Sequence, residues 1–190
     1  MQVLKDLIHR EGVNLGNGIL KVDSFINHQV HPRVMEECGA ELARRFEDVK
    51  PTRVLTAEIS GIAPALMTAH ALNIPVVFAR KSKPITMPDQ VYLTVAPSHT
   101  KGVMVELIVS PEYLAAGERV LIIDDFLASG ATIKGLVRLT QAAGADLVGI
   151  GALIEKSFEG GREELSSLNV QIESLVQVVS LDDGRIELAD

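Results

Sequence analysis

The chain has 190 residues, of which 47% are hydrophobic and 23% are charged, which is typical of one globular domain with a sizeable core. Its formal charge of −7 argues against a protein whose main task is to grip a nucleic-acid backbone. The single cysteine, Cys38, excludes an intrachain disulfide, and the longest apolar run, 147–154, is too short to span a membrane, so we expect a cytoplasmic protein with no membrane partner.

The N-terminal part of the chain is predicted to begin with an amphipathic helix that ends near Gly12. The apolar stripe on this helix is suited to contact with a second copy of the chain, which favours a homodimer. A turn at Gly16-Asn17-Gly18 follows, and the next helix is predicted to begin at Pro32, because proline suits the first helical position. Leu20 and Asn27 are therefore expected on connecting backbone outside the central sheet.

Two strand-helix-strand units follow along the chain. The first is predicted to comprise a strand at 53–57, a helix at 62–72 and a strand at 76–79; the second comprises a strand at 120–123, a helix at 133–143 and a strand at 147–153. Such units are built as parallel strands joined by a right-handed crossover. We therefore predict a single α/β domain, 1–190, with an open, mainly parallel sheet that carries helices on both faces.

An alternating apolar pattern separates the two units. Apolar residues recur at every second position in 91–95 and again in 103–109, and the segment 97–102 between them is rich in turn-forming residues. This pattern predicts an antiparallel hairpin with a mobile tip, of the kind that enzymes use as a lid to exclude water.

The second unit carries the clearest chemical signal. The apolar run 120–123 leads into Asp124 and Asp125, and the small-residue loop Ala128-Ser129-Gly130-Ala131-Thr132 then opens a helix. Backbone N–H groups and the positive end of the helix dipole favour a phosphate at such a loop. The two acids would repel a phosphate, so they are expected to face sugar hydroxyls or a hydrated cation. Together these groups fit a ribose 5-phosphate.

A second anion site is predicted where the first parallel strand ends. Glu58-Ile59-Ser60-Gly61 lies at the carboxyl end of that strand and at the amino end of its helix. Arg80 and Lys81 follow the next strand and would offset the charge of a bound diphosphate.

Lys156 and Phe158 follow the last strand that the pattern predicts to be parallel. The lysine would therefore reach the same rim as the phosphate loop, where it can donate to a carbonyl oxygen. The phenylalanine can stack on a flat base.

The stretch Val120 to Thr132 resembles the phosphoribosyl-diphosphate signature of the type I phosphoribosyltransferases. The resemblance extends in order over nearly the whole chain and is closest to the bacterial members that use xanthine. It implies that Asp124 and Asp125 are catalytic, that Ala128, Ser129, Gly130, Ala131 and Thr132 bind 5-phosphoribosyl 1-diphosphate (PRPP), and that Glu58, Ile59, Ser60 and Gly61 form a diphosphate loop, which in this family often contains a non-proline cis peptide.

The resemblance also implies the remaining parts of the site. A hood made of residues 1–30 and 155–190 would cover the base, with Leu20, Asn27 and Lys156 in contact with it, and the hairpin would close over the diphosphate. Mg²⁺ would bind together with the diphosphate of PRPP, and no protein side chain is assigned as a metal ligand. Relatives of this kind are commonly homodimers.

Two alternatives remain open from the sequence. The same chemistry on guanine, hypoxanthine or adenine would need different donors and acceptors around the base, which a single sequence does not define without the resemblance. A non-catalytic regulator that binds PRPP and acts on nucleic acid is the other alternative. The acidic charge and the short N-terminal segment argue against it, so no nucleic-acid partner is expected.

Overall fold

The structure of the protein is a computed structural model that describes residues 1–97 and 103–190. The helices are α1 (Gln2–Glu11), α2 (Pro32–Phe46), α3 (Ile62–Leu72), α4 (Ala131–Ala142) and α5 (Gly161–Leu165). The strands are β1 (Val13–Asn14), β2 (Leu20–Lys21), β3 (Arg53–Ala57), β4 (Val76–Ala79), β5 (Tyr92–Pro97), β6 (Met104–Val109), β7 (Arg119–Leu127), β8 (Asp146–Lys156), β9 (Gln171–Ser180) and β10 (Glu187–Leu188). None of the helices in these two ranges is long and apolar enough to cross a membrane.

The central sheet has six strands in the order β10-β9-β8-β7-β3-β4. All neighbouring pairs are parallel except β10 with β9. The two predicted units are present as β3-α3-β4 and β7-α4-β8. The predicted fold class is therefore confirmed.

Strand β7 lies between two apolar layers, one on each face of the sheet. Leu121 and Ile123 join the layer formed with α1, α2 and α3, whereas Val120 and Ile122 join the layer formed with α4 and the β5-β6 hairpin. Successive residues of a strand point to opposite faces, so a strand covered on both sides needs apolar side chains at every position. This explains the uninterrupted apolar run that precedes Asp124.

The strands of the second unit are longer than predicted. Strand β7 continues through both acids to Leu127, and β8 continues to Lys156, because the two strands remain paired as far as Leu127 and Glu155. Helix α4 begins at Ala131, two residues before the predicted start at 133, since Gly130 adopts a left-handed conformation (φ 76°) that turns the chain directly into the helix.

Strand β9 was not predicted. It pairs in parallel with β8, so the prediction that β8 is the last parallel strand is wrong. Parts of the C-terminal segment that was expected to form a hood, residues 171–180 and 187–188, thus lie in the central sheet. The strand is only partly buried, and its apolar residues are interrupted by Glu173, Ser174 and Gln177. The sequence pattern therefore does not identify this segment as a strand.

Helix α1 packs inside the protein. Its apolar residues Leu4, Leu7 and Ile8 are buried in the same layer as α2. The interpretation of this stripe as a surface for a second copy of the chain is therefore wrong, because the stripe is already covered.

The predicted hairpin is present as the antiparallel pair β5-β6. Its tip, 98–102, which was predicted to be mobile, lies outside the described residues. The hairpin is joined to the sheet by two backbone hydrogen bonds between Arg80 and Ile108, of 2.8 and 2.9 Å. It is joined to α4 by the guanidinium of Arg138, which donates to the Thr94 hydroxyl (2.8 Å) and to the Val95 carbonyl (2.6 Å).

Helices α2 and α3 cross at Gly39. A Cβ atom on Gly39 would lie 2.4 Å from the Cβ of Met67 and 2.5 Å from its carbonyl carbon. Such distances are far below van der Waals contact, so this crossing is possible only with glycine on α2.

We predict that Gly39→Ala destabilises the protein by about 2 kcal/mol, although alanine favours a helix by about 1 kcal/mol over glycine, because the new methyl group collides with α3. Urea denaturation followed by circular dichroism measures the free energy of unfolding. The neighbouring exposed Ala40 gives the control: Ala40→Gly should lose only the helix propensity, about 1 kcal/mol. A Gly39→Ala variant that is more stable than the wild type would contradict the close crossing.

Candidate active site

A cleft with a volume of about 490 Å³ opens at the carboxyl ends of β3, β7 and β8. Ligands of open α/β sheets bind at this end of the strands. The predicted residues that line it are Leu20, Asn27, Glu58, Ile59, Ser60, Gly61, Lys81, Asp124, Asp125, Ala128, Ser129, Gly130, Ala131, Thr132 and Lys156. The residues that sequence reasoning missed are Ile19, Ala57, Ala96, Pro97, Val105, Leu107, Phe126 and Ile133.

Two of the missed groups had a signal in the sequence. Phe126 directly follows the two acids on β7, and its position in the strand register places it in the cleft. Ala96, Pro97, Val105 and Leu107 belong to the hairpin, whose alternating pattern was recognised without deciding which face points towards the site.

The two acids lie at the end of β7, in the interior of the cleft. Asp124 is only 7% exposed, and one of its carboxylate oxygens accepts a hydrogen bond of 3.0 Å from the backbone N–H of Asp125. Burial, followed by repulsion from Asp125, raises the pKa of Asp124 well above its ordinary value, and burial also raises the pKa of Asp125. The two carboxyl groups therefore titrate together, and their charge is partly offset by nearby Lys81.

The small-residue loop, Ala128–Thr132, lies next to these acids. Helix α4 begins immediately after Gly130, and no side chain of the described residues caps its N-terminus. The first backbone N–H groups of a helix have no partner within the helix, so those of this loop are available to an oxyanion. All five predicted loop residues line the cleft.

A second loop, residues 58–61, for which an anion site is predicted, follows β3 and contains a cis peptide bond between Glu58 and Ile59. The carboxylate of Glu58 accepts a hydrogen bond of 2.7 Å from the backbone N–H of Lys81. Its other oxygen lies 3.1 Å from Nε of Arg80. Glu58 thus holds the segment after β4 against the loop, and this contact brings Lys81 to the cleft.

Arg80 does not line the cleft, contrary to the prediction that its charge serves the diphosphate directly. Its guanidinium is paired with Glu58 and lies 5.9 Å from the centroid of the Phe78 ring. Arg80 is held away from the cleft by the carboxylate of Glu58, which the fold brings next to it from an earlier part of the sequence. Lys81, the other cation predicted there, does line the cleft.

Lys156 is buried at the end of β8 and lines the cleft, as Leu20 and Asn27 also do. Its ammonium donates to the Gly18 carbonyl (2.7 Å) and to the Glu159 carboxylate (3.1 Å). It also lies 5.6 Å from the centroid of the Phe126 ring. This end of the cleft thus offers a cation, an amide and apolar surface to a flat polar ring.

Phe158 lies outside the cleft. It is 44% exposed and lines a separate cavity together with Asn17, Gly18 and residues 179–182. The prediction that Phe158 stacks on a base in the main site is therefore not supported by this geometry, because the chain turns away after Lys156. The aromatic ring in the cleft belongs to Phe126.

Residues 28–182 match the phosphoribosyl transferase domain family. The chain belongs to this family. It is 50% identical over 184 residues to a xanthine phosphoribosyltransferase of Deinococcus deserti, a match that covers 97% of this chain and 95% of the relative. It is 46% identical to a xanthine phosphoribosyltransferase of Stutzerimonas stutzeri over the full length of both chains.

A solved structure shows the same fold. The adenine phosphoribosyl transferase of Trypanosoma brucei superposes with a TM-score of 0.75 at 20% identity, covering 92% of this chain and 79% of the other. At this level of identity the likeness concerns the fold alone.

We predict that Asp124→Asn raises the free energy of unfolding at pH 7.5 by about 1 kcal/mol, a usual size for a stabilising substitution, because it removes a buried charge that Asp125 repels. A raised pKa in the folded state means that wild-type stability falls as pH rises through that pKa. The advantage of the variant should therefore shrink as pH is lowered towards the ordinary carboxyl pKa of about 4.

Urea titrations of both proteins between pH 5 and pH 8 measure this difference. The exposed Asp48 provides the control, since Asp48→Asn should change stability by less than about 0.5 kcal/mol at every pH. An Asp124→Asn variant that is less stable than the wild type at pH 7.5 would contradict the conclusion that burial and repulsion from Asp125 make the Asp124 carboxylate destabilising.

Proposed function

We propose that this chain is a xanthine phosphoribosyltransferase that transfers the 5-phosphoribosyl group of PRPP to N9 of xanthine. The products would be xanthosine 5′-monophosphate and diphosphate. The observation that carries the proposal is that one cleft is lined by both predicted anion loops, by both acids and by Leu20, Asn27 and Lys156. The full-length likeness to relatives named xanthine phosphoribosyltransferase supports the choice of base.

The sugar donor is proposed to lie along the rim of the sheet. Its 5′-phosphate would bind the loop Ala128–Thr132 at the start of α4, and its diphosphate would bind the loop Glu58–Gly61 beside Lys81. The ribose hydroxyls would then face Asp124 and Asp125, which accept hydrogen bonds at the centre of the cleft. This order places C1 of the ribose between the diphosphate loop and the base end.

Mg²⁺ is proposed to accompany the diphosphate. Among the described residues no group of three or more His, Cys, Asp or Glu side chains is arranged to hold a metal. Mg²⁺ is commonly bound by one or two carboxylates, several waters and substrate phosphates. The oxygen donors of Asp124 and Asp125 fit that limited contribution, and the ion would neutralise charge on the leaving diphosphate.

The base is proposed to bind between Leu20, Asn27, Phe126 and Lys156. The amide of Asn27 both donates and accepts, so it can pair with an oxo group and the adjacent ring N–H of xanthine. Lys156 can donate to another oxo group, and Leu20 and Phe126 offer apolar contact to the ring.

In the reaction, the bond from C1 to the diphosphate oxygen breaks and the bond from C1 to N9 forms. The base releases its imidazole proton. Positive charge develops on the ribose ring, as in other glycosyl transfers, and the carboxylates of Asp124 and Asp125 would stabilise it. Most of the acceleration should come from holding two ligands in line and from neutralising the diphosphate.

We further propose that the protein is a cytoplasmic homodimer. Large apolar side chains are exposed around the diphosphate loop and α3, among them Ile59 (75%) and Leu66 (47%), and a second copy could cover them. The single cysteine, Cys38, is buried, which accords with a reducing compartment.

The test of the function is a base-selectivity assay with purified protein, PRPP and Mg²⁺, in which xanthine, guanine, hypoxanthine and adenine are supplied separately. We expect xanthine to give the highest kcat/KM. The control Asp125→Asn should fold but lose at least about 100-fold in kcat, because it removes a negative charge next to the developing cation. Turnover of another base would overturn the assignment of the base, and PRPP binding without any turnover would favour the regulator.

We predict that Lys156→Ala raises the KM for xanthine at least about 10-fold, equivalent to roughly 1.4 kcal/mol, and leaves the KM for PRPP within a factor of 2. The reason is that Lys156 lies at the base end of the cleft. The matched control is Lys81→Ala, which should raise the KM for PRPP instead. If Lys156→Ala weakened both substrates equally, its assignment to the base would be wrong.

A further inference from the structure

A cluster of charged and polar residues around one buried carboxylate takes no part in lining the cleft. Its centre is Glu155 on β8, which is 2% exposed. The carboxylate accepts hydrogen bonds from Arg162 Nε (2.8 Å) and from a terminal guanidinium nitrogen of Arg162 (2.6 Å). It also accepts one from the Ser174 hydroxyl (2.6 Å) and one from the side-chain amide of Gln177 (3.3 Å).

This cluster holds the carboxylate in its ionised form. Burial alone would raise the pKa of Glu155, but the hydrogen bonds from Arg162 and Ser174 outweigh burial, and its pKa is lowered. A buried charge with a bidentate guanidinium partner forms a strong and directional contact. Removal of the arginine would leave the buried carboxylate without a cationic partner, with only the Ser174 hydroxyl and the Gln177 amide as hydrogen-bond donors.

The arginine connects the cluster to α5. Arg162 is the second residue of this short helix, and its guanidinium also donates to the Ile172 carbonyl of β9 (2.8 Å). Arg162 thus fixes α5 to two neighbouring strands of the sheet. A second connection, the ion pair of Lys134 with Glu164, joins α5 to α4.

Helix α5 in turn supports the phosphate loop from behind. A Cβ atom on Gly161 would lie 2.1 Å from the Ala128 carbonyl oxygen and 2.8 Å from the Gly130 backbone nitrogen. A Cβ atom on Gly130 would lie 3.3 Å from the Gly161 carbonyl oxygen. The two backbones are therefore in direct contact, so the position of the loop depends on the position of Gly161.

We propose that the Glu155 and Arg162 pair positions the phosphate loop by holding Gly161 against Ala128 and Gly130. Both would be positioning residues for recognition of the 5′-phosphate, without touching the substrate. The inference rests on the proposed function, because it takes the loop to be the cradle of that phosphate. It predicts that loss of the pair weakens binding of the 5′-phosphate and leaves binding of the base unaffected.

The test compares two probes by isothermal titration calorimetry: ribose 5-phosphate, which occupies the loop Ala128–Thr132, and xanthine, which occupies the base end. In Arg162→Ala we expect the affinity for ribose 5-phosphate to fall at least about 10-fold, or roughly 1.4 kcal/mol, with a change in xanthine affinity below 2-fold. Steady-state kinetics should show the same split, with a raised KM for PRPP. Arg162→Lys should be intermediate, since lysine cannot make the bidentate contact.

Arg45→Ala is the matched control. Arg45 is ion-paired with Glu41 and Glu173 and donates to the Ser174 carbonyl, so it braces the same strand β9 at a distance from the phosphate loop. Its loss should lower the thermal midpoint while ribose 5-phosphate still binds with wild-type affinity. If Arg162→Ala and Arg45→Ala had the same affinity for ribose 5-phosphate, Arg162 would be merely structural and the inference would be overturned.

Two further results keep the inference separate from folding and from the proposed function. If Arg162→Ala does not fold, Glu155→Gln replaces it, because the amide keeps the shape but weakens the charged contact; wild-type affinity for ribose 5-phosphate in that variant would overturn the inference. A wild-type protein that binds neither ribose 5-phosphate nor xanthine would overturn the proposed function and the inference together.

Discussion

Close approach of backbone to the end of β7 is the constraint on which the site depends. A Cβ atom on Gly61 would lie 2.3 Å from the Thr56 hydroxyl and 2.6 Å from a carboxylate oxygen of Asp124, so the diphosphate loop is seated directly against the acids. On the other side, Gly161 touches the phosphate loop with equal closeness. Glycine at both positions lets two loops, both proposed to bind anions, converge on one cleft at the rim of a rigid sheet.

The same convergence concentrates negative charge in the protein. The carboxyl groups of Asp124 and Asp125 lie side by side next to the two loops, and burial, together with repulsion from Asp125 in the case of Asp124, raises their pKa values. The two apolar layers around β7 stabilise the fold and so offset the free-energy cost of placing two carboxyl groups side by side. Sites that hold destabilising groups for the sake of function are expected to rely on a well-packed scaffold of this kind.

Much of the fold could be predicted from local pattern. The strands buried on both faces appear as continuous apolar runs, and α2 was recognised from Pro32 and the spacing of its buried residues. Strand β9 was missed because a strand with polar residues such as Glu173 and Ser174, whose partners lie in other elements, lacks both the continuous and the alternating signature.

The site was predictable where neighbours in sequence are also neighbours in space. The loop Ala128–Thr132 and the acids before it satisfy that condition. Arg80 does not, because its partner Glu58 precedes it by a whole helix and strand. Phe126 and Phe158 both lie near predicted site residues, and only the register of β7 and the turn after β8 decide which ring enters the cleft.

The hydrogen bonds of Lys156 have a thermodynamic consequence for ligand recognition. A free lysine side chain has about 2 kcal/mol of rotamer entropy, part of which is normally lost when it becomes fixed on a ligand. Here the Gly18 carbonyl and the Glu159 carboxylate hold the Lys156 ammonium through contacts within the protein, so this ordering is completed during folding. A base that binds as proposed would meet a donor already fixed in place, so its recognition would depend on the match of shape and polarity more than on ordering of the lysine side chain.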